Sequence, residues 1–365
     1  MLHVSVESGR HPAELRRWFP APEPDPFFED SVLTALYGDR WTSIVIEEDG
    51  HALRHAFAAC AIGATGLLDI EPLLGYAGPV STPEAPADFL IAALDRYGAF
   101  CRENGIVAEL VRFNPLLQNH RELEGLTSDL VLLPSKPVVY LPVRFDESDQ
   151  MSNYPPATRN KVRAGYRSSK VSALEKTFEA WTTLRLSYER TLDDTGAERR
   201  WRLPLDLWER LSRNQRCALF GAVQQERLVS GAIALVHDRT WYYLLAAGVR
   251  DAQVRRGLSN AVVHEIARAA ALEGASYVAL GGGRTAAPHD SLFRFKRSLG
   301  GDVWPFTAGL FTHDRRELTS LVQAAERRHP SIAASSLFLR YRSAPGFSEG
   351  RMIPVSPGSL AGRTA

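Results

Sequence analysis

Between Cys217 and Leu280 the chain alternates its elements in an order that few folds accept. Cys217 to Val223, Leu228 to Val236 and Thr240 to Ala246 read as three strands joined by short polar turns, a meander. Leu258 to Glu273 then reads as a helix, because Leu258, Ala261, Val262, Glu265, Ile266, Ala269 and Leu272 fall on one mostly apolar stripe. Gly274 ends that helix, Ser276 to Leu280 forms the next strand, and Gly281-Gly282-Gly283 follows at once. Strands, a helix and a further strand in this order predict a sheet with a helix packed across it.

The first half runs through a similar order. A Pro-rich lead (Pro20, Pro22, Pro24, Pro26) and a short amphipathic segment from Phe27 to Tyr37 precede a strand at Thr42 to Glu48. Asp49-Gly50 supplies a tight turn, with Ala52 to Cys60 as the hairpin partner. Phe89, Ala93, Tyr97 and Phe100 share one face of a helix expected from Asp88 to Arg102, and Val107 to Phe113 reads as a strand. Farther on, Thr158 to Ser168 reads as a helix with Thr158 as its N-cap, and Leu174 to Tyr188 as another. A length of 365 residues suits about two domains. The expected fold is therefore α/β (α+β), with two similar lobes, each a mixed sheet flanked by helices. The first lobe is placed at 1–148 and the second at 149–345, with 346–365 as a loose tail rich in Pro, Gly and Ser. No residue-level repeat accompanies the shared order.

Hydrophobic residues at 45% and charged residues at 23% let both halves bury a core, which excludes wholesale disorder. Lys plus Arg total 43 against 42 for Asp plus Glu, so any basic site has to be local. Cys60, Cys101 and Cys217 form no C-x-x-C, which argues against a disulfide framework or a zinc ribbon. No His/Cys/Asp cluster shows metal-ligand spacing. Met1 to Glu7 lacks the features of a signal peptide, and no apolar run approaches the ~18 residues that span a bilayer. A reduced, cytoplasmic protein without an integral membrane segment is expected. One bias remains: only Lys136, Lys161, Lys170, Lys176 and Lys296 are lysines among the 43 basic residues. Each is a candidate for chemistry that a guanidinium cannot do, although an arginine-biased composition alone leaves the same count.

Three stretches can carry chemistry. In Gln253-Val254-Arg255-Arg256-Gly257-Leu258-Ser259, arginines and a glycine precede a helix. Arg256 and Gly257 thus stand where free N–H groups and the helix dipole suit a phosphate, although an ordinary charged loop reads the same way. From Met151 to Leu174 there is no acidic residue, while Arg159, Lys161, Arg163, Arg167 and Lys170 are basic. Arg159, Arg163 and Arg167 share a helix face, and such a row faces either solvent or an anionic partner. Tyr154 and Tyr166 are placed to stack on a base. The third stretch is Leu280-Gly281-Gly282-Gly283-Arg284 followed by Asp290-Ser291-Leu292-Phe293-Arg294-Phe295-Lys296. Glycines there let a ligand approach the backbone, and Lys296 brings a compact positive charge a short loop away, as an oxyanion requires. A glycine-rich turn before an amphipathic helix is the structural alternative.

The third stretch resembles the signature of the Fem-type transferases, tandem-GNAT proteins that attach amino acids from aminoacyl-tRNA to peptidoglycan precursors. Leu68-Asp69-Ile70, Gly75-Tyr76-Ala77-Gly78-Pro79 and Glu109 to Leu117 resemble that family's first lobe, and Thr158 to Ala164 resembles the basic helix opening its second. The likeness spans about Phe27 to Phe311. It implies that Lys296 stabilises the developing charge as an amine attacks the aminoacyl ester, and that Phe295 helps place the terminal adenosine of the tRNA. Arg159, Lys161, Arg163, Arg256, Gly257, Gly282, Gly283 and Arg284 become the donor- or acceptor-binding residues. Two departures stand out. No long heptad-patterned arm is present, and the Gln253–Ser259 loop matches the GNAT pyrophosphate loop imperfectly, with Val254 and Ser259 off the pattern.

The leading expectation is an amide-forming transferase, needing no cofactor, that moves an aminoacyl group from aminoacyl-tRNA to an amine of a peptide-like small molecule or cell-wall precursor. The alternatives are an acyl-CoA-dependent N-acyltransferase, for which acetyl-CoA or another acyl-CoA is the donor, and a non-catalytic binding module. His264 and His289 are available as bases.

Overall fold

A computed structural model describes residues 2–197, 201–249, 257–285, 287, 289–335, 339–347 and 352–355. They form two compact units, one made of Met1–Ser135 with Phe306–Ala365, the other of Lys136–Pro305.

In the first unit, His3–Ser8, Thr42–Glu48, His51–Phe57 and Val80–Ser81 form a four-stranded antiparallel sheet. Asp49 and Gly50 both take positive φ, which fits the twist of a two-residue hairpin. Leu68–Ile70 and Ile106–Arg112 lie parallel, and the helix Ala87–Glu103 makes the crossover that a parallel pair requires. Ala308–Thr312 adds antiparallel to Ile106–Arg112, bringing a late segment of the chain into the early lobe. Phe89, Ala93, Tyr97 and Phe100 of the helix are buried with Ile44, Ile46, Val111 and Phe311. One carboxylate sits inside this core. Glu109 accepts from Tyr97 Oη at 2.7 Å and lies 2.6 Å from His55 Nε2. Burial would raise its pKa, but His55 and His313 beside it hold it down to about 2. Of the expected tail, Met352 and Ile353 pair with Cys60 and Ala59.

In the second unit, the strands Thr240–Gly248, Arg227–Leu235, Cys217–Gln224 and Lys170–Leu174 follow one another antiparallel. On its other side Thr240–Gly248 meets Tyr277–Gly282 in parallel, with the helix Leu258–Leu272 as crossover, and Val138–Pro142 pairs antiparallel beyond it. The meander, helix and strand expected from the sequence are all present. Two local expectations need correction. Lys170–Leu174 is a strand, and the second helix starts only at Phe178, capped by Thr177 accepting from Ala180 N–H. Thr158 is not a cap either: its helix runs Pro156–Ser168, with Pro preset for the first turn, and the Thr158 hydroxyl donates instead to Ser298 O at 2.6 Å. No helix among the described residues is long and apolar enough to cross a membrane.

Candidate active site

Two groups of residues stand out in the second unit. The first forms where the parallel strands part. Among the described residues, Thr240–Gly248 and Tyr277–Gly282 pair only through Thr240–Tyr242 and Tyr277–Ala279. Gly257 starts the crossover helix in the left-handed region at φ 100°, and a Cβ there would come within 2.5 Å of Lys161 O. Only glycine fits so close an approach at that φ. Gly165 meets Ala261 equally closely, since a Cβ would lie 2.5 Å from the alanine methyl. The helix Pro156–Ser168 is thus pressed against the first turn of Leu258–Leu272. The fold brings Lys161 beside Gly257, a pairing that the sequence offered as two separate features. Arg256 lies outside the described residues.

The buried face of Pro156–Ser168 is Thr158, Val162 and Gly165, so Lys161, Arg163 and Arg167 point to solvent. Arg159 is half-buried and donates to Tyr154 O at 2.8 Å, so part of its role is to hold the helix start. Tyr166 is also committed, donating to Glu265 Oε2 at 2.7 Å.

The second group is the glycine turn. Tyr277–Gly282 runs into Gly283, where a Cβ would lie 2.5 Å from Asp290 Oδ1. Asp290 caps the helix Ser291–Arg297 through Phe293 N–H, and its Oδ2 accepts from Arg284 N–H at 3.1 Å and Thr285 N–H at 3.0 Å. Burial disfavours its charge, but these donors hold the carboxylate below its usual range. The N–H groups of Arg284 and Thr285 are therefore engaged, and the charge available at this turn is the lysine's. Lys296 is only 8% exposed and donates from Nζ to Gly282 O at 2.8 Å. Burial, and then the like charge of Lys136, outweigh the pull of Asp290 and lower its pKa to about 8. Phe295 packs half-buried against the core of this unit. Arg284 is exposed, and its carbonyl accepts from Lys136 Nζ at 2.8 Å. Lys136 stands out in the sequence only as one of the five rare lysines and was given no site role, because its partner at the turn is 148 residues away.

His264 is fully buried, with Nδ1 3.1 Å from Tyr154 Oη, and burial lowers its pKa. Tyr154 also receives Gln150 Nε2 at 3.3 Å, so these groups form a core network rather than an open base. His289 is exposed.

Residues 157–297, which contain both groups, match the model of the acetyltransferase (GNAT) domain. This stretch of the second unit is thus similar to a GNAT acetyltransferase domain. The fold of the chain is that of the Fem-type and tandem-GNAT structures. FemX is similar at a TM-score of 0.57 and 14% identity, covering 84% of this chain and 96% of that one. A tandem GNAT protein from the clavulanic acid biosynthesis pathway gives 0.51 and 11%, covering 84% and 98%. A conserved protein of unknown function from Bacteroides thetaiotaomicron gives 0.51 and 12%, covering 76% and 88%. Among curated proteins none matches the sequence.

Proposed function

We propose that this chain is an acyltransferase that moves an aminoacyl group from aminoacyl-tRNA to an amine of a peptide-like small molecule or cell-wall precursor, forming an amide. The observation that carries the reading is Lys296, a buried cation held on a glycine turn in the same unit as the exposed basic residues Lys161, Arg163 and Arg167. In aminolysis of an ester, negative charge develops on the carbonyl oxygen, and a fixed ammonium in a dry site stabilises it far more than one in water. The basic helix supplies what the phosphates of a tRNA end require, point charges free to face solvent.

An acyl-CoA donor is the second reading. The observation in its favour is Gly257 at the helix start, where the parallel strands part, an arrangement suited to a pyrophosphate. Incubating the protein with total charged tRNA or with acetyl-CoA, with a panel of amines, decides between them by which donor is consumed. Consumption of acetyl-CoA alone, with a rise in melting temperature on adding CoA, refutes the first reading. Arg159→Ala with Arg163→Ala is expected to weaken donor binding and flatten its salt dependence; an unchanged salt slope returns the helix to a solvated face. Consumption of neither donor, with tRNA still bound, would make the chain a binding module.

A further inference from the structure

Two of the five lysines meet on one turn. Lys296 Nζ donates to the Gly282 carbonyl and Lys136 Nζ to the Arg284 carbonyl, each at 2.8 Å. Lys136 belongs to the strand Leu130–Pro142, whose Val138 pairs with Gly282, and its Cγ would lie 3.7 Å from a Cβ at Gly282. The two side chains thus grip alternate carbonyls of Gly282-Gly283-Arg284 from opposite sides of sequence. Asp290 is the carboxylate bearing on Lys296, and it already accepts from three backbone N–H groups. The cationic groups nearby are Lys136 on the strand, Arg284 on the turn, and Arg294 and Arg297 on the lysine's own helix. An arrangement that only needed to brace a glycine turn would not bring a second lysine close enough for its charge to act on buried Lys296.

We infer that Lys136 is a positioning residue for Lys296: it fixes the turn on which Lys296 rests and sets how readily that amine gives up and regains a proton during transfer. The inference rests on the proposed aminolysis. There, the acceptor nitrogen attacks the acyl carbon, the C–N bond forms, and the carbonyl π pair moves to oxygen. The attacking nitrogen, now ammonium, passes its extra proton to neutral Lys296, and the ammonium so formed is the charge that faces the oxyanion of the tetrahedral intermediate. As the oxygen pair returns, the bond to the donor's leaving oxygen breaks, and Lys296 hands that proton to the leaving group. Lys296 ends as it began. With a pKa of about 8 the amine form is accessible near neutral pH, which an ordinary lysine does not allow.

The small number of lysines makes the test direct. In protein labelled with 13Cε-lysine, five signals are expected, each assigned by a Lys→Arg substitution, and the pH titration of Lys296 is read without any substrate. In Lys136→Gln the Lys296 midpoint is expected to rise towards the ordinary lysine value, and in Lys136→Arg, which keeps the charge, to stay near the parent's. A midpoint unmoved in Lys136→Gln overturns the inference. Lys136→Met, which keeps the aliphatic stem, replaces the Gln variant if that one does not fold. With the donor identified, the alkaline-rising limb of kcat/KM is expected to move up with the NMR midpoint, about tenfold in rate for each unit at a fixed lower pH. An NMR shift that the rate profile does not follow overturns the proton-transfer role. Failure of every donor would refute the proposed function, while the NMR result would still decide whether Lys136 sets the charge of Lys296.

Discussion

Replacing Lys296 with Met should make the protein more stable at neutral pH while removing its activity. The lysine lies buried at 8% exposure with a pKa of about 8 instead of 10.5. Below about pH 8 it is charged both folded and unfolded, and the folded state carries the whole penalty of holding that charge away from water. Between 8 and 10.5 the unfolded chain binds the extra proton and the folded one does not, so stability rises with pH across this window. Above 10.5 both are neutral and the penalty is gone. The difference between 10.5 and about 8 corresponds to about 3 kcal/mol. Methionine removes that penalty but leaves the Gly282 carbonyl without its donor, a loss of about 1–2 kcal/mol. The net expectation is a gain of roughly 1–2 kcal/mol at pH 7, shrinking to nothing or a small loss by pH 10. Five of the seven tryptophans, Trp181, Trp201, Trp208, Trp241 and Trp304, lie in the second unit, so urea unfolding followed by tryptophan fluorescence reports chiefly on it. Subtracting parent from variant at each pH cancels every other titrating group. A variant less stable than the parent at pH 7, by an amount that stays constant up to pH 10, would refute the reasoning.

Two further substitutions test the frame around the site. Gly165→Ala places a methyl 2.5 Å from the Ala261 side chain and 3.1 Å from Gly257 O, so the helix Pro156–Ser168 must shift; a fall in urea midpoint equivalent to about 1–3 kcal/mol is expected. In the first unit, Glu109→Gln removes the buried charge beside His55, with an expected loss of about 3–5 kcal/mol at pH 7. Because the Glu109 pKa is depressed from 4.5 to about 2, its stabilisation is present above 4.5 and lost as pH falls through 2. An acid-unfolding curve lacking that limb only in the Gln variant is the check.

What could be read along the chain was what neighbours in sequence enforce. Leu258–Leu272 shows its stripe because helical periodicity is local, and the meander shows because its turns are short. The strand Leu130–Pro142 escaped notice, since Pro134 and Pro137 interrupt it and its alternation is poor; pairing with Tyr277–Gly282, far along the chain, is what holds it extended. Asp302–Thr312 was hidden for the same reason, as its partner is Ile106–Arg112. Downstream of Leu174 the apolar spacing holds for Trp181 and Leu184, which are buried, but Phe178 at the helix start is exposed, and strand pairing with Leu219 overrides the helix at Leu174 itself. The glycine turn and Lys296 were legible because they lie within one short stretch. Lys136 was not, because its place at the turn exists only once the sheet has formed.

The rarity of lysine bears on why position 296 is not arginine in a chain that otherwise prefers it. A guanidinium stays charged at any pH the protein meets and spreads its donors over a planar fork. Gly282 presents a single carbonyl, and Gly281 leaves its Cβ position 3.5 Å from Nζ, so the space fits a compact head on a flexible stem. Oxyanion stabilisation alone would be served by either cation. Burying a second positive group beside Lys136 makes chemical sense chiefly for a group that is able to become neutral there, because only then does the repulsion change a protonation state instead of merely destabilising the fold. The same argument separates the turn from the basic helix. On that helix one lysine, Lys161, and two arginines, Arg163 and Arg167, share the exposed positions, and a permanent charge is all that a phosphate needs.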